Sequence, residues 1–98
     1  MTEEEAKAAG IPVKSTKVTM FSNARTIISG GDRGYMKILV NTETGVLAGA
    51  QLMCERASDM IGELSQAIAN KQKPHDLLKA MRSHPTFEEA LTEALRML

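Results

Sequence analysis

Two apolar runs, Tyr35–Asn41 (YMKILVN) and Val46–Met53 (VLAGAQLM), stand on either side of the polar stretch Thr42-Glu43-Thr44-Gly45. No other feature constrains the fold as much. Gly45 accepts the positive φ needed to turn the chain back, so the two runs predict a β-hairpin. Met36, Ile38 and Val40 alternate with Lys37, Leu39 and Asn41. That alternation sets a buried face. Gly49, inside the second run, predicts a bulge or a close backbone approach.

The flanking segments complete the architecture. Thr2 to Ala9 reads as a short helix, with Thr2 and Glu5 at capping-box spacing and Gly10 and Pro12 as the stop. Val13 to Phe21 (VKSTKVTMF) is rich in β-branched residues and alternates imperfectly, which predicts a strand at an edge or with one exposed face. Ser22 to Arg33 is ambiguous: Ala24–Ile28 fits a helical turn, and the glycine-rich stretch from Ser29 to Gly34 reads as a loop. Arg56 to Asn70 reads as a helix with Ala57, Ile61, Leu64 and Ile68 as its apolar stripe. Gly62 in its interior calls for a packed neighbour. Pro74 opens a second helix, His75 to Arg82, with Leu77, Leu78 and Met81 facing inward. From Phe87 to Leu98 apolar residues recur at spacings of 0, 3, 4, 7, 8 and 11, a strong amphipathic helix. A hairpin followed by grouped helices predicts an α+β fold: an antiparallel sheet of about three strands with helices packed on one face.

Composition removes several functions. Twelve basic residues balance twelve acidic ones, which argues against a nucleic-acid partner or a basic membrane anchor. Phe21, Tyr35 and Phe87 are the only aromatics, too few for a base-stacking platform. No run approaches the roughly 20 apolar residues of a membrane span, so no membrane partner is expected. The single cysteine, Cys54, excludes an intrachain disulfide and fits a reducing, cytoplasmic setting. At the end of an apolar strand it reads as a buried, inert thiol. Gly30, Gly31 and Gly34 precede a strand rather than a helix, so they form no dinucleotide fingerprint. His75 and His84 lie nine residues apart without further ligands, which leaves no metal site.

One cluster carries chemistry: Ser83-His84-Pro85-Thr86-Phe87-Glu88-Glu89. Two readings of it stand side by side. In the structural one, Pro85 stiffens the approach, Thr86 caps the last helix, Glu89 completes a capping box and His84 is a loop residue. In the functional one, His84 is a base on a rigid loop, and the Glu89 carboxylate fixes its tautomer and aims its lone pair. A carboxylate has two oxygens, so Glu89 serves both. A small hydrolase using His84 and a serine ranks lower, because Ser83 is its neighbour and no nucleophile motif is visible.

The pattern His84-Pro85-Thr86-x-x-Glu89, followed by an amphipathic helix, resembles the C-terminal signature of the flavin-dependent pyridine-nucleotide disulfide oxidoreductases. Other parts agree in order. Thr2-Glu3-x-Glu5-Ala6 with Gly10, Asn23-Ala24-Arg25, Gly34–Ile38, Val46–Ala50 and Ala57-x-x-Met60-Ile61-x-Glu63-Leu64 resemble successive elements of that family's interface domain. The resemblance spans nearly the whole chain. Its His-Pro-Thr form is most similar to the dihydrolipoamide dehydrogenases, with glutathione reductases as close relatives.

The resemblance implies a fold like that of the FAD/NAD-linked reductase dimerisation domains. It implies that residues 1–98 are a single dimerisation domain, an excised C-terminal piece of a larger flavoenzyme, inactive alone. No cofactor is expected on this piece, and FAD and NAD are expected in the full-length enzyme. A homodimer is implied, with the Arg56–Asn70 helix and the last helix near its two-fold. His84 would act as the base that deprotonates a dihydrolipoyl-type dithiol across the dimer, and Glu89 would orient it. The alternatives are a stand-alone dimeric interaction module without catalysis, or the same domain of a glutathione reductase-like enzyme.

Overall fold

The computed structural model describes residues 1–31 and 33–98. The chain begins with helix α1, Glu3–Ala8. The Glu5 N–H donates to Thr2 Oγ1 (3.1 Å) and the Thr2 N–H donates to Glu5 Oε2 (3.0 Å), so the capping box is complete. At the other end Gly10 takes φ +72°. The Ile11 N–H then reaches the Ala6 carbonyl and the Gly10 N–H the Lys7 carbonyl, a Schellman closure that stops the helix.

Strands β1 (Val13–Thr19), β2 (Tyr35–Asn41) and β3 (Leu47–Met53) form an antiparallel sheet in the order β1-β2-β3. Strand β1 is an edge strand, and it ends at Thr19, short of the expected Phe21. Met20–Ser22 wind into a 3₁₀ turn that seats Met20 fully in the core and leaves Phe21 70% exposed. Helix α2, Ala24–Ile28, follows as the helical turn expected there. The loop expected from Ser29 to Gly34 includes Asp32, which lies outside the described residues.

The hairpin forms between β2 and β3. Asn41 Oδ1 accepts from the N–H groups of Glu43 (2.8 Å) and Thr44 (3.3 Å), and Gly45 takes φ +74°. Both expectations for Gly49 hold. The register steps from Leu39↔Gly49 to Val40↔Leu47, a bulge at Ala48. The Met1 backbone lies where a Cβ on residue 49 would stand, and the Met1 ammonium donates to the Ala48 carbonyl at 3.2 Å.

The grouped helices pack on one face of this sheet, as expected, and the first helix lies on the other. Met36 and Ile38 enter the main core with residues of helices α3 (Ala57–Ala69), α4 (Pro74–Leu78) and α5 (Glu89–Arg96). Leu39 points the opposite way and is just as fully buried. Helix α1 covers that second face: Ala6 is fully buried, Glu3 pairs with Lys37, and Met1 overlies Gly49.

Helix α3, Ala57–Ala69, starts from Arg56 in the left-handed region (φ +65°). It buries Met60, Leu64 and Ala67, while Ile61 and Ile68 are half-buried at the rim. The stripe therefore sits about one residue before the expected set, because α3 rolls to seat Met60 on the sheet. Gly62 is exposed, and no packed neighbour among the described residues accounts for it. Helix α4 spans Pro74–Leu78, with Pro74 in its first turn and the Lys73 N–H held by Asp76 Oδ2 (2.9 Å). It stops before Arg82, where Arg82 Nη1 reaches the Leu77 carbonyl at 3.4 Å. Met81 shares a face with Leu77 only if the helix continues, and it is instead 96% exposed.

Helix α5 runs Glu89–Arg96. Ala90, Leu91, Ala94 and Leu95 are buried as their spacing requires, with Phe87 at 7% exposure just ahead of them. Phe87 and Glu88 form a turn before the helix rather than its first residues. The Thr16 hydroxyl donates to the Ala94 carbonyl at 2.9 Å and ties β1 to α5 inside the core.

Candidate functional site

The segment from Ser83 to Thr86 links α4 to α5 and is anchored at both ends. Upstream, the Arg82 side chain is 8% exposed and pairs with Glu63 of α3 through Nη2 (2.6 Å). Its Nη1 donates to Thr92 Oγ1 of α5 at 3.1 Å. Arg82 Nε is buried without a hydrogen-bond partner among the described residues. A buried guanidinium cannot leave its carboxylate cheaply, so this end is held firmly. Downstream, Phe87 plugs into the core and fixes the start of α5.

Between these anchors stand His84 and Glu89. Nδ1 of His84 lies 2.7 Å from Glu89 Oε1 and 2.9 Å from Oε2. The His84–Pro85 peptide bond is cis. The His84 side chain is 70% exposed, while that of Glu89 is 33% exposed. A carboxylate only accepts, so Nδ1 carries the proton facing Glu89, and in the neutral ring Nε2 is left with the lone pair. The hydrogen bond from His84 is the main cause holding the Glu89 carboxyl below its ordinary value. The Thr86 N–H, which donates to Oε1 at 3.0 Å, adds to it against slight desolvation.

The expected capping box at Thr86 is half formed. Glu89 receives the Thr86 N–H, as expected. The Thr86 hydroxyl does not return the bond to the helix but donates to the Ser83 carbonyl at 2.8 Å, because the Phe87–Glu88 turn displaces the helix start. Two residues that the local pattern did not single out hold this loop. One is Arg82; the other is Asn23 at the N-cap of α2, whose Nδ2 donates to the Thr86 carbonyl at 3.0 Å. Asn23 stands directly before α2, a cap signal that sequence provides, but its reach across to Thr86 has no local signature.

The remaining candidates lie apart from this site. Cys54 is free and half-buried, and burial pushes its thiol pKa up, which disfavours the reactive thiolate. His75 is exposed beside Asp76. No group of three or more His, Cys, Asp or Glu among the described residues could hold a metal ion. Gly30 (φ +79°) closes the end of α2, with its N–H on the Ile27 carbonyl, and Gly34 (φ +119°) stands directly before β2, so neither has the helix N-terminus behind it that a dinucleotide phosphate needs. No helix of the described residues is long and apolar enough to cross a membrane.

The chain matches a known class. Residues 1–95 match the dimerisation domain of the pyridine nucleotide-disulphide oxidoreductases, and the chain belongs to that family. It is 37% identical over 92 residues to the dihydrolipoyl dehydrogenase of Geobacillus stearothermophilus, which covers 94% of this chain and 20% of that protein. It is 36% identical over 93 residues to the dihydrolipoyl dehydrogenase of Bacillus subtilis, covering 95% of this chain and 20% of that protein. The chain thus spans about a fifth of the length of the curated relatives it matches. Two solved structures share the fold. LpdA from Mycobacterium tuberculosis superposes with a TM-score of 0.91 at 24% identity, covering 99% of this chain and 21% of that one. The HOCl-induced flavoprotein disulfide reductase RclA from Escherichia coli gives 0.93 at 23% identity, covering 100% and 22%. The α+β dimerisation-domain fold expected from the sequence is the one observed.

Proposed function

We propose that this chain is the C-terminal interface domain of a cytoplasmic dihydrolipoyl dehydrogenase. In that enzyme it forms the homodimer and supplies His84 as the base for the dithiol half-reaction, with Glu89 orienting it. The observation that carries this reading is one exposed imidazole whose Nδ1 is gripped by a carboxylate at 2.7 and 2.9 Å on a loop anchored at both ends.

The chemistry follows from the state of the thiol. A free thiol has a pKa near 8.5, roughly two units above that of an ordinary imidazole, and only the thiolate attacks a disulfide sulfur. His84 Nε2 takes the S–H proton of a dihydrolipoyl-type dithiol as its sulfur attacks a disulfide carried elsewhere in the full-length enzyme; the new S–S bond forms as that disulfide breaks, and one of its sulfurs leaves as a thiolate. The imidazolium that results is paired with Glu89, which also keeps the ring from turning its lone pair away. The imidazolium then passes its proton to the outgoing thiolate or to water, which frees Nε2 again. FAD and NAD are held elsewhere in the full-length enzyme, and this domain alone is inactive. The exposed Met81 and Met97, which flank the hollow lined by Arg82, Glu89 and Thr92, support a second copy covering that side.

The test is stopped-flow reduction of the flavin by dihydrolipoamide in the full-length enzyme carrying His84→Ala. Reduction is expected to slow by about 10²–10⁴-fold with flavin content unchanged, as for loss of a positioned general base. A rate within a few-fold of wild type makes His84 an ordinary loop residue.

A further inference from the structure

We propose that Asn23 is a positioning residue for the His84–Glu89 pair, acting through the backbone of Thr86; this rests on the reading of His84 as the base. Asn23 is 8% exposed, and both ends of its amide are used. Oδ1 accepts from the Thr26 N–H and from Thr26 Oγ1, each at 3.0 Å. A backbone N–H only donates, so the amide oxygen must face α2. The amide nitrogen is thereby aimed at the loop, where Nδ2 donates to the Thr86 carbonyl at 3.0 Å.

Thr86 is the residue on which the pair depends. Its N–H donates to Glu89 Oε1 at 3.0 Å, and that same oxygen lies 2.7 Å from His84 Nδ1. The Thr86 backbone is therefore gripped from two sides, its carbonyl by α2 and its N–H by α5. One lone pair of Oε1 is committed to the N–H, which fixes the rotation of the carboxylate and so the direction in which Nδ1 finds it. Without the Asn23 donor, the Thr86 carbonyl loses its tie to α2, and the carboxylate loses a fixed backbone partner. Capping alone does not require asparagine here, since Asn, Asp and Ser cap helices about equally well. Asparagine adds a donor with the reach to cross to the loop.

The experiment uses the 98-residue chain and nitrogen-resolved NMR of the histidine rings above neutrality, where imidazole is neutral. Wild-type His84 is expected as the Nδ1–H tautomer. Asn23→Asp and Asn23→Ser keep an acceptor for the Thr26 N–H and lose the bond to Thr86. Both are expected to shift His84 toward the mixed tautomers of a free imidazole. Thr26→Val, which removes only the hydroxyl bond within the α2 cap, is expected to keep the wild-type ring spectrum. Asn23→Ser carries no charge into the buried position and decides the matter if the Asp variant fails to fold.

An unchanged Nδ1–H spectrum in the Asn23 variants overturns the proposal. So does an equal loss in Thr26→Val, because the effect would then come from the cap and not from the bond to Thr86. Failure of the base assignment reads differently: flavin reduction would survive His84→Ala, while the ring spectrum and its dependence on Asn23 stayed as described. In the full-length enzyme, Asn23→Ser is expected to slow dithiol oxidation by up to about 100-fold, the scale of a 1 Å misplacement.

Discussion

Glu89 holds the ring of His84 through both carboxylate oxygens, at 2.7 and 2.9 Å from Nδ1, five residues away across a cis peptide bond. The pairing joins a surface-exposed imidazole to the first residue of a helix whose next turn is buried. Ring and core are thereby coupled through one side chain.

That coupling has a pH signature. The folded-state pKa of Glu89 lies below the ordinary value of 4.5, chiefly because of the hydrogen bond from His84. A depressed carboxyl contributes stability that is fully present above its unfolded pKa and is lost as pH falls through the folded pKa. Carbon-detected NMR titration should therefore place the Glu89 midpoint below 4.5, and His84→Ala should move it upward. Glu89→Gln should flatten the acid limb of the stability profile and, in the full-length enzyme, slow dithiol oxidation less than His84→Ala does.

Thr2→Ala removes the acceptor for the Glu5 N–H in a six-residue helix. Loss of a Thr cap costs about 1 kcal/mol. Helix α1 and the Met1 backbone lie on the sheet face of Lys37 and Gly49, so fraying of α1 should also expose that face. Urea denaturation should show the midpoint falling, and amide exchange at Leu39 should accelerate.

Leu95 is 1% exposed in the main core, whereas Met81 is 96% exposed. Leu95→Ala should cost about 2–5 kcal/mol through lost burial and a residual cavity. Met81→Ala should change the stability of the monomer by no more than about 0.5 kcal/mol. Chemical denaturation at low protein concentration separates the two. A large loss at Met81 under those conditions would contradict its exposed position.

Gly62 sits in the exposed interior of α3, with no neighbour among the described residues within 4 Å of an added Cβ. Gly62→Ala should raise monomer stability by about 0.5–1 kcal/mol, since alanine loses less backbone freedom on entering a helix. Thermal unfolding at low concentration checks it. A lower midpoint would mean that the methyl group meets something the single chain does not contain.

The parts of this protein that were legible in its sequence are those whose partners lie within a few residues. Thr2 and Glu5, the Thr42–Gly45 turn, the 3–4 spacing of α5 and the His84–Glu89 pair all make bonds or share a face within one or two turns of chain. Such contacts are dictated by side-chain length and backbone geometry, so sequence by itself determined them. It also determined the family, because these local signals recur in the right order along the chain.

Only the tertiary structure decided the rest. Leu39 and Met81 are both long apolar residues, yet α1 closes over one while the end of α4 releases the other into solvent. Burial depends on which distant element supplies the covering surface, and no local pattern encodes that. The same holds for the supports of the candidate site. Asn23 reaches Thr86 across 63 positions, and Arg82 reaches Glu63 across 19. A hydrogen bond acts over about 3 Å, so a partner remote in sequence becomes one only after packing has brought it within that range.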